Sequence, residues 1–251
     1  MALKLRRWEI HEYDQFRASE QVKKKAAAVK AADYVKDGMI VGLGSGSTVT
    51  MLVDELGRRV QEDGLNFTGV STSISTAKQA ESLGIKISDL DSIDTIDLTI
   101  DGADQVDSDF NGIKGGGGNL FWEKIVAANS KKLIWIVDQS KIVDRIGAFP
   151  LAVDVEPFGS HHVLKKFSDA GFNPVVRTDK NGKIFKTDSN NIILDLHLHK
   201  INDPDKLSNA LINTVGVVEH GLFLNAVNEV VVGKEGAPQI MINSKAHPSY
   251  Q

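Results

Sequence analysis

Residues 39–59 read MIVGLGSGSTVTMLVDELGRR. Met39, Ile40, Val41 and Leu43 form a short apolar run, as a buried parallel strand requires. Gly42 to Ser47 makes a glycine-serine turn, and Thr48–Arg59 then repeats its apolar residues with helical spacing. Strand, tight turn and helix in that order begin a βαβ unit. The pattern extends in both directions. Before it, Val22, Ala26, Val29, Ala32 and Val35 give a helix over Ser19–Lys36, with Gly38 as its C′ residue. After it come a strand at Phe67–Val70, a helix at Ile74–Leu83 closed by Gly84, and strands at Ile85–Ile87 and Ile96–Ile100. A helix at Leu120–Asn129 and an uninterrupted apolar strand at Leu133–Val137 follow. This alternation predicts a doubly wound, mostly parallel Rossmann-like sheet.

The rhythm changes at Pro150. Strands are expected at Leu151–Val155, Pro174–Arg177, Ile192–Leu198 and Val215–His220, and helices at His161–Ala170 and Asp203–Asn213. Asn181-Gly182 is a hairpin signal. That β-α-β-β-α-β order is ferredoxin-like. The apolar run Glu229–Val232 then returns to the main sheet. The chain thus reads as an amino-terminal tail (1–18), a main α/β domain (19–149 and 222–251) and a small inserted α+β domain (150–221).

The 251 residues are 41% hydrophobic and 25% charged, enough apolar material for a sizeable core. A net charge of -4 argues against a general nucleic-acid or membrane-surface role, but not against a phosphorylated small molecule held by local geometry. With no cysteine, thiol catalysis, disulfides and cysteine metal sites are excluded. Charges interrupt every apolar stretch of Met1–Arg17, so it is neither a secretory signal nor a membrane span, and the cytoplasm is the expected compartment.

Three glycine-bearing motifs carry chemistry. In Gly42-Leu43-Gly44-Ser45-Gly46-Ser47-Thr48, glycines admit a ligand to the backbone, and free N–H groups at the helix start attract phosphate. The plainer alternative is a tight turn capped by serines. A Walker loop is excluded because no lysine precedes the final hydroxyl residue. A dinucleotide fingerprint is excluded by Ser47 at its third glycine position and by the missing acid after the second strand. Asp101-Gly102-Ala103-Asp104 ends an apolar strand, where open α/β sheets bind ligands. Its two carboxylates suit gripping sugar hydroxyls or sharing a proton, against the alternative of a solvated acidic turn. Lys114-Gly115-Gly116-Gly117-Gly118-Asn119 sets four costly glycines between a lysine and an apolar helix, which suits N–H groups gathered around an oxyanion. Glu123, early in that helix, can reach back to the loop. Asp107-Ser108-Asp109-Phe110-Asn111-Gly112 matches the opening of a calcium loop, but its closing glutamate falls at Gly118, so calcium is rejected. His197 and His199 share one face of a strand without a third ligand at suitable spacing, so no metal site is expected.

GLGSGST (42–48), DGAD (101–104), IKGGGG (113–118), EKI (123–125), DQSK (138–141) and GVVEHGLF (216–223) together resemble the ribose-5-phosphate isomerase A family, in order and spacing from about Val22 onward. The resemblance implies a cofactor-free aldose–ketose isomerase acting on ribose 5-phosphate and ribulose 5-phosphate, assembled as a homodimer or homotetramer. It implies Glu123 as catalytic base, Lys114 with Gly115, Gly116 and Gly117 as the substrate-gripping loop, and Asp101 and Asp104, with Gly102 and Ala103 between them, as the paired acids. Ser45, Gly46, Ser47 and Thr48 would line the phosphate, with Lys24 near it and Lys141 as a further substrate lysine. Three departures stand out: Ser45 for a frequent threonine, Gln105 for an acid after DGAD, and Trp122 before the base. A sugar-phosphate sensor without turnover and an amino-sugar phosphate deaminase are the other classes such loops could serve.

Overall fold

The computed structural model describes residues 7–246, with side chains from residue 18. Its helices are α1 (Arg7–Ala32), α2 (Ser47–Glu62), α3 (Ile74–Ser82), α4 (Leu120–Ala128), α5 (Ser160–Asp169) and α6 (Pro204–Ile212). The first strands are β1 (Ile40–Leu43), β2 (Thr68–Ser71), β3 (Lys86–Ile87), β4 (Leu98–Asp101), β5 (Gln105–Val106), β6 (Gly112–Ile113) and β7 (Leu133–Asp138). They are followed by β8 (Leu151–Val155), β9 (Pro174–Val176), β10 (Ile192–Leu196), β11 (Val217–His220), β12 (Leu222–Phe223), β13 (Glu229–Gly233) and β14 (Gln239–Ile242).

Seven strands form the main sheet in the order β14-β13-β7-β4-β1-β2-β3, parallel except for the edge strand β14. Every residue of β4 and β7 is buried, as a strand covered on both faces must be. α1 and α2 pack together, burying Ala27, Ala28, Ala31, Leu52, Val53 and Leu56 against Val41, Leu43 and Ile100. The expected α/β class is therefore correct, and the apolar run at Glu229 does rejoin the sheet, beside β7.

The second sheet is antiparallel, ordered β11-β8-β10-β9, with α5 and α6 between its strands in the chain. This is the ferredoxin-like order expected, around a separate core that includes Val153, Val163, Phe167, Leu194 and Leu211.

Three features differ from the sequence reading. The helix placed at Ser19–Lys36 runs instead from Arg7 to Ala32, through much of the stretch read as a tail; no glycine or proline interrupts it. Residues 1–6 of that tail lie outside the described residues. The strand drawn to Leu198 ends at Leu196, and His199 has a φ of 59°, so His197 and His199 do not share a strand face. A third sheet, β12-β6-β5, has strands of two residues that carry too little periodicity to register in a sequence. It explains the calcium-like run: Asp107 accepts the N–H groups of Asp109 and Asn111 at 3.0 and 2.9 Å and closes the β5–β6 hairpin.

Asp154, on β8, is fully buried. Burial, opposed by a hydrogen bond from the Asn191 side chain and reinforced by the carboxylate of Glu219 in register with it, pushes its pKa up from 3.8 to about 6. Folding therefore favours the protonated acid. That stabilisation is complete below pH 4 and is lost as pH rises through about 6. Urea midpoints from pH 4 to 8 should show the wild type losing about 2–3 kcal/mol relative to Asp154→Asn across that window. Parallel pH curves for the two proteins would show that Asp154 does not carry this penalty.

Candidate active site

β1, β4 and β7 are neighbours in the sheet and parallel, so their carboxyl ends deliver three loops to one place. These are Gly44–Gly46, Gly102–Asp104 and the 3-10 turn Gln139–Lys141. The crevice beyond parallel strand ends is the usual ligand site of such sheets. Close approach there depends on glycine. A Cβ on Gly44 would stand 2.0 Å from Asp101 Oδ1. Gly46, at φ 96°, then turns the chain into α2, whose first turn has no side-chain cap and presents its N–H groups.

The glycine loop crosses this crevice from the other side. Lys114 follows β6, and its N–H donates to Gly221 O at 2.9 Å. Gly115 and Gly118 have φ of 101° and 86°, left-handed conformations that side chains disfavour, and Gly118 N–H returns to Gly115 O. α4 starts immediately afterwards, so Glu123 sits in its first turn, where the helix dipole favours a carboxylate.

At the centre, Lys114 is 3% exposed. Its Nζ donates to Gly102 O at 2.5 Å and lies 3.0 Å from Asp101 Oδ2 and 3.1 Å from Glu123 Oε2. The two carboxylates are held differently. Asp101 Oδ1 accepts the N–H groups of Ser45 and Gly102 at 3.1 and 2.7 Å. Glu123 Oε1 accepts the Ser45 hydroxyl at 2.6 Å, and Asn119 Nδ2 donates to that hydroxyl at 3.1 Å. Glu123 Oε2 receives no directed hydrogen bond from the described residues; its 3.1 Å approach to Lys114 is a charge contact. Burial opposes the charge of Lys114, but Asp101 and Glu123 outweigh it and hold the ammonium above its ordinary range. Burial pushes Asp101 up to about 7, with the charge of Glu123 adding to the effect and Lys114 opposing it. Asp104 is raised too, by burial, against the Gly116 N–H that donates to its Oδ2 at 2.8 Å.

A single cleft is lined by every site residue singled out from the sequence except Asp101, which at 1% exposure lies behind Lys114. Asp101 is thus placed as a counter-charge, whereas Asp104 faces the cleft. Ser45 also differs from expectation, because its hydroxyl is directed to Glu123. Gly116 N–H is already bonded to Asp104. Lys24 is buried and ion-paired with Glu20, and Lys141 has its ammonium 5.9 Å from the Phe149 ring centre. Gln105, in place of an acid, accepts the Gly147 N–H at 2.9 Å, and Trp122 donates to Ser189 at 2.8 Å rather than entering the cleft.

Sequence reasoning missed Asn119, Asp138 and Arg177. Asn119 closes the glycine motif and was legible as polar at a helix start. Asp138 opens DQSK and lines the cleft, and its Oδ1 accepts Ser140 N–H at 2.9 Å. Arg177, 62 residues beyond Gly115, donates to Gly115 O at 2.7 Å and is held by Asp195 at 2.8 Å. Nothing local in the sequence signals that role.

The sequence profile of the family described as Ribose 5-phosphate isomerase A (phosphoriboisomerase A) matches residues 68–237. Ribose-5-phosphate isomerase A of Bifidobacterium longum subsp. infantis is 60% identical over 228 residues, covering 91% of this chain and 98% of that protein. The Enterococcus faecalis protein of the same name is 54% identical, covering 87% and 96%. Among solved structures, ribose 5-phosphate isomerase A of Methanocaldococcus jannaschii superposes with a TM-score of 0.85 at 35% identity, covering 90% of this chain and 100% of that one. A D-ribose-5-phosphate isomerase solved in complex with phospho-erythronic acid gives 0.85 at 32% identity, covering 88% and 98%. With the profile and these full-length likenesses agreeing, the chain belongs to the ribose 5-phosphate isomerase A family.

Proposed function

We propose that this chain interconverts D-ribose 5-phosphate and D-ribulose 5-phosphate through an enediolate, with Glu123 as the base. The observation that supports this most is the state of the Glu123 carboxylate. One oxygen is fixed by Ser45, and the other is free of directed hydrogen bonds beside the ammonium of Lys114. Isomerisation requires a base that removes the C2 proton and returns it to C1, and a positive group for the oxygen that becomes anionic between those steps. We assign the first task to Glu123 Oε2 and the second to Lys114. Asp104, at the cleft surface with a raised pKa, suits proton exchange with sugar hydroxyls during ring opening. Asp101 keeps Lys114 charged. The electrons and atoms of the sugar balance within the molecule, so the reaction requires no redox partner.

The phosphate is assigned to the start of α2, where Ser47 and Thr48 add hydroxyls to the free N–H groups and Lys24 lines the same cleft. Lys141 flanks the cleft from the β7 side. Phospho-erythronic acid, held by one solved relative, carries a carboxylate where the enediolate has its pair of oxygens, and the same acid should compete with substrate here. Assembly as a homodimer or homotetramer and residence in the cytoplasm follow from the family resemblance. No helix among the described residues is long and apolar enough to cross a membrane.

Glu123→Gln keeps shape and hydrogen bonding but removes the base. Its kcat should fall by roughly 10²–10⁴-fold, with C2 hydrogen exchange into solvent falling in step and substrate affinity largely kept. Turnover within a few-fold of wild type would remove Glu123 as the base and turn attention to Asp104. Thr48→Val should weaken substrate and inorganic phosphate alike by about 1.5–3 kcal/mol, read by titration calorimetry; equal affinities would place the phosphate elsewhere. Activity should survive exhaustive chelation, and loss of turnover restored by added metal would contradict the metal-free mechanism.

A further inference from the structure

The strand that returns from the second sheet places an aromatic ring beside the reacting lysine. Gly221 O holds Lys114 N–H, and Leu222 and Phe223 of β12 pair with Ile113 and Gly112 of β6. Phe223 is fully buried and meets Trp135 edge-on at 6.4 Å. Two ammonium groups share its ring: Lys114 Nζ at 5.4 Å from the centroid and Lys124 Nζ at 4.9 Å. Both lie within the range over which a ring quadrupole attracts a cation, and the attraction is strongest where water is excluded. Lys124 is the residue after the base. It is anchored to Glu219 Oε1 and His220 O, each at 2.7 Å, four and three residues before Phe223.

We propose that Phe223 is a positioning residue for the isomerisation, its ring face holding the Lys114 ammonium in place while the charges around that ammonium change. The proposal rests on the roles assigned above to Glu123 and Lys114. When Glu123 takes the C2 proton it loses its charge, and Lys114 loses one of its two anionic partners just as the enediolate forms. A third carboxylate in that position would restrain the lysine but repel the enediolate and compete for the ammonium. The ring does not titrate and adds no net charge, so it restrains Lys114 equally before and after proton transfer. The second cation on the ring, Lys124, is balanced by Glu219 and ties the same ring to the helix that carries the base.

The test replaces Phe223 in the full chain with 4-fluoro-, 3,5-difluoro- and 3,4,5-trifluorophenylalanine, which progressively weaken the ring quadrupole at nearly constant volume. The expected result is a graded fall in kcat, about two- to thirty-fold at the trifluoro ring. C2 hydrogen exchange should fall in step, while KM and the thermal midpoint hold. A flat kcat across the series overturns the proposal, and the single-fluorine step suffices for this if the heavier rings impair folding. Lys114→Met separates the two levels. If it collapses turnover while the fluorine series is flat, Lys114 keeps its role and Phe223 loses the one assigned here. If Lys114→Met turns over within a few-fold of wild type, the assignment of Lys114 fails and the proposal falls with it. In the Lys114→Met background the series should be flat; a continued fall there would show that the ring does not act through Lys114.

Discussion

A single buried ammonium group organises this protein's chemistry. Lys114 is nearly sealed from water, a position in which an unpaired charge would be too costly to keep. Asp101 and Glu123, with the Gly102 carbonyl, meet that cost. The consequence is an imbalance: two carboxylates share one cation. Asp101 has two backbone N–H donors besides the lysine and no access to the cleft. Glu123 has one fixed oxygen, one undirected oxygen and a place on the cleft wall. Similar side chains thus take different roles through hydrogen bonding and exposure alone.

Much of the surrounding structure serves to bring that lysine and its partners within reach of each other. The main sheet supplies parallel strand ends, which fix Asp101 and the GLGSGST turn relative to each other through the register of β1 and β4. Glycine permits the contact: any side chain at Gly44 would occupy the position of the Asp101 carboxylate. The start of α2 then offers uncapped N–H groups on one flank of the cleft, and the start of α4 offers Glu123 on another. These are backbone properties, indifferent to the details of the cores beneath them.

The second sheet contributes by support from behind. Arg177 props the glycine loop through its carbonyls, and Gly221 holds the Lys114 amide. Glu219 and His220 anchor Lys124, and Phe223 stands beside both lysines. Residues 219–223 thus form a continuous brace running from the small sheet into the three-stranded sheet beneath the active loop. That brace ties down a glycine run that as an isolated chain would be highly flexible.

The sequence alone was sufficient for the periodic and the punctuated features. Apolar runs and helical spacing gave the parallel sheet, and the β-α-β-β-α-β order gave the second unit. Glycine clusters at strand ends marked the loops that meet at the cleft, because glycine there reports a backbone constraint local to a few residues. Glu123, Lys114 and Asp104, singled out from those loops, all line the cleft. Sequence could not separate Asp101 from Asp104, since both belong to one four-residue turn and only burial distinguishes the sealed carboxylate from the one that lines the cleft. It could not turn the Ser45 hydroxyl towards Glu123, find Arg177, or pair the two-residue strands β5, β6 and β12. Each of these depends on which distant segments the closed sheets bring into contact, and such contacts leave no periodicity in the chain. Tertiary packing decided them, because desolvation and hydrogen-bond direction exist only once the partners are in place.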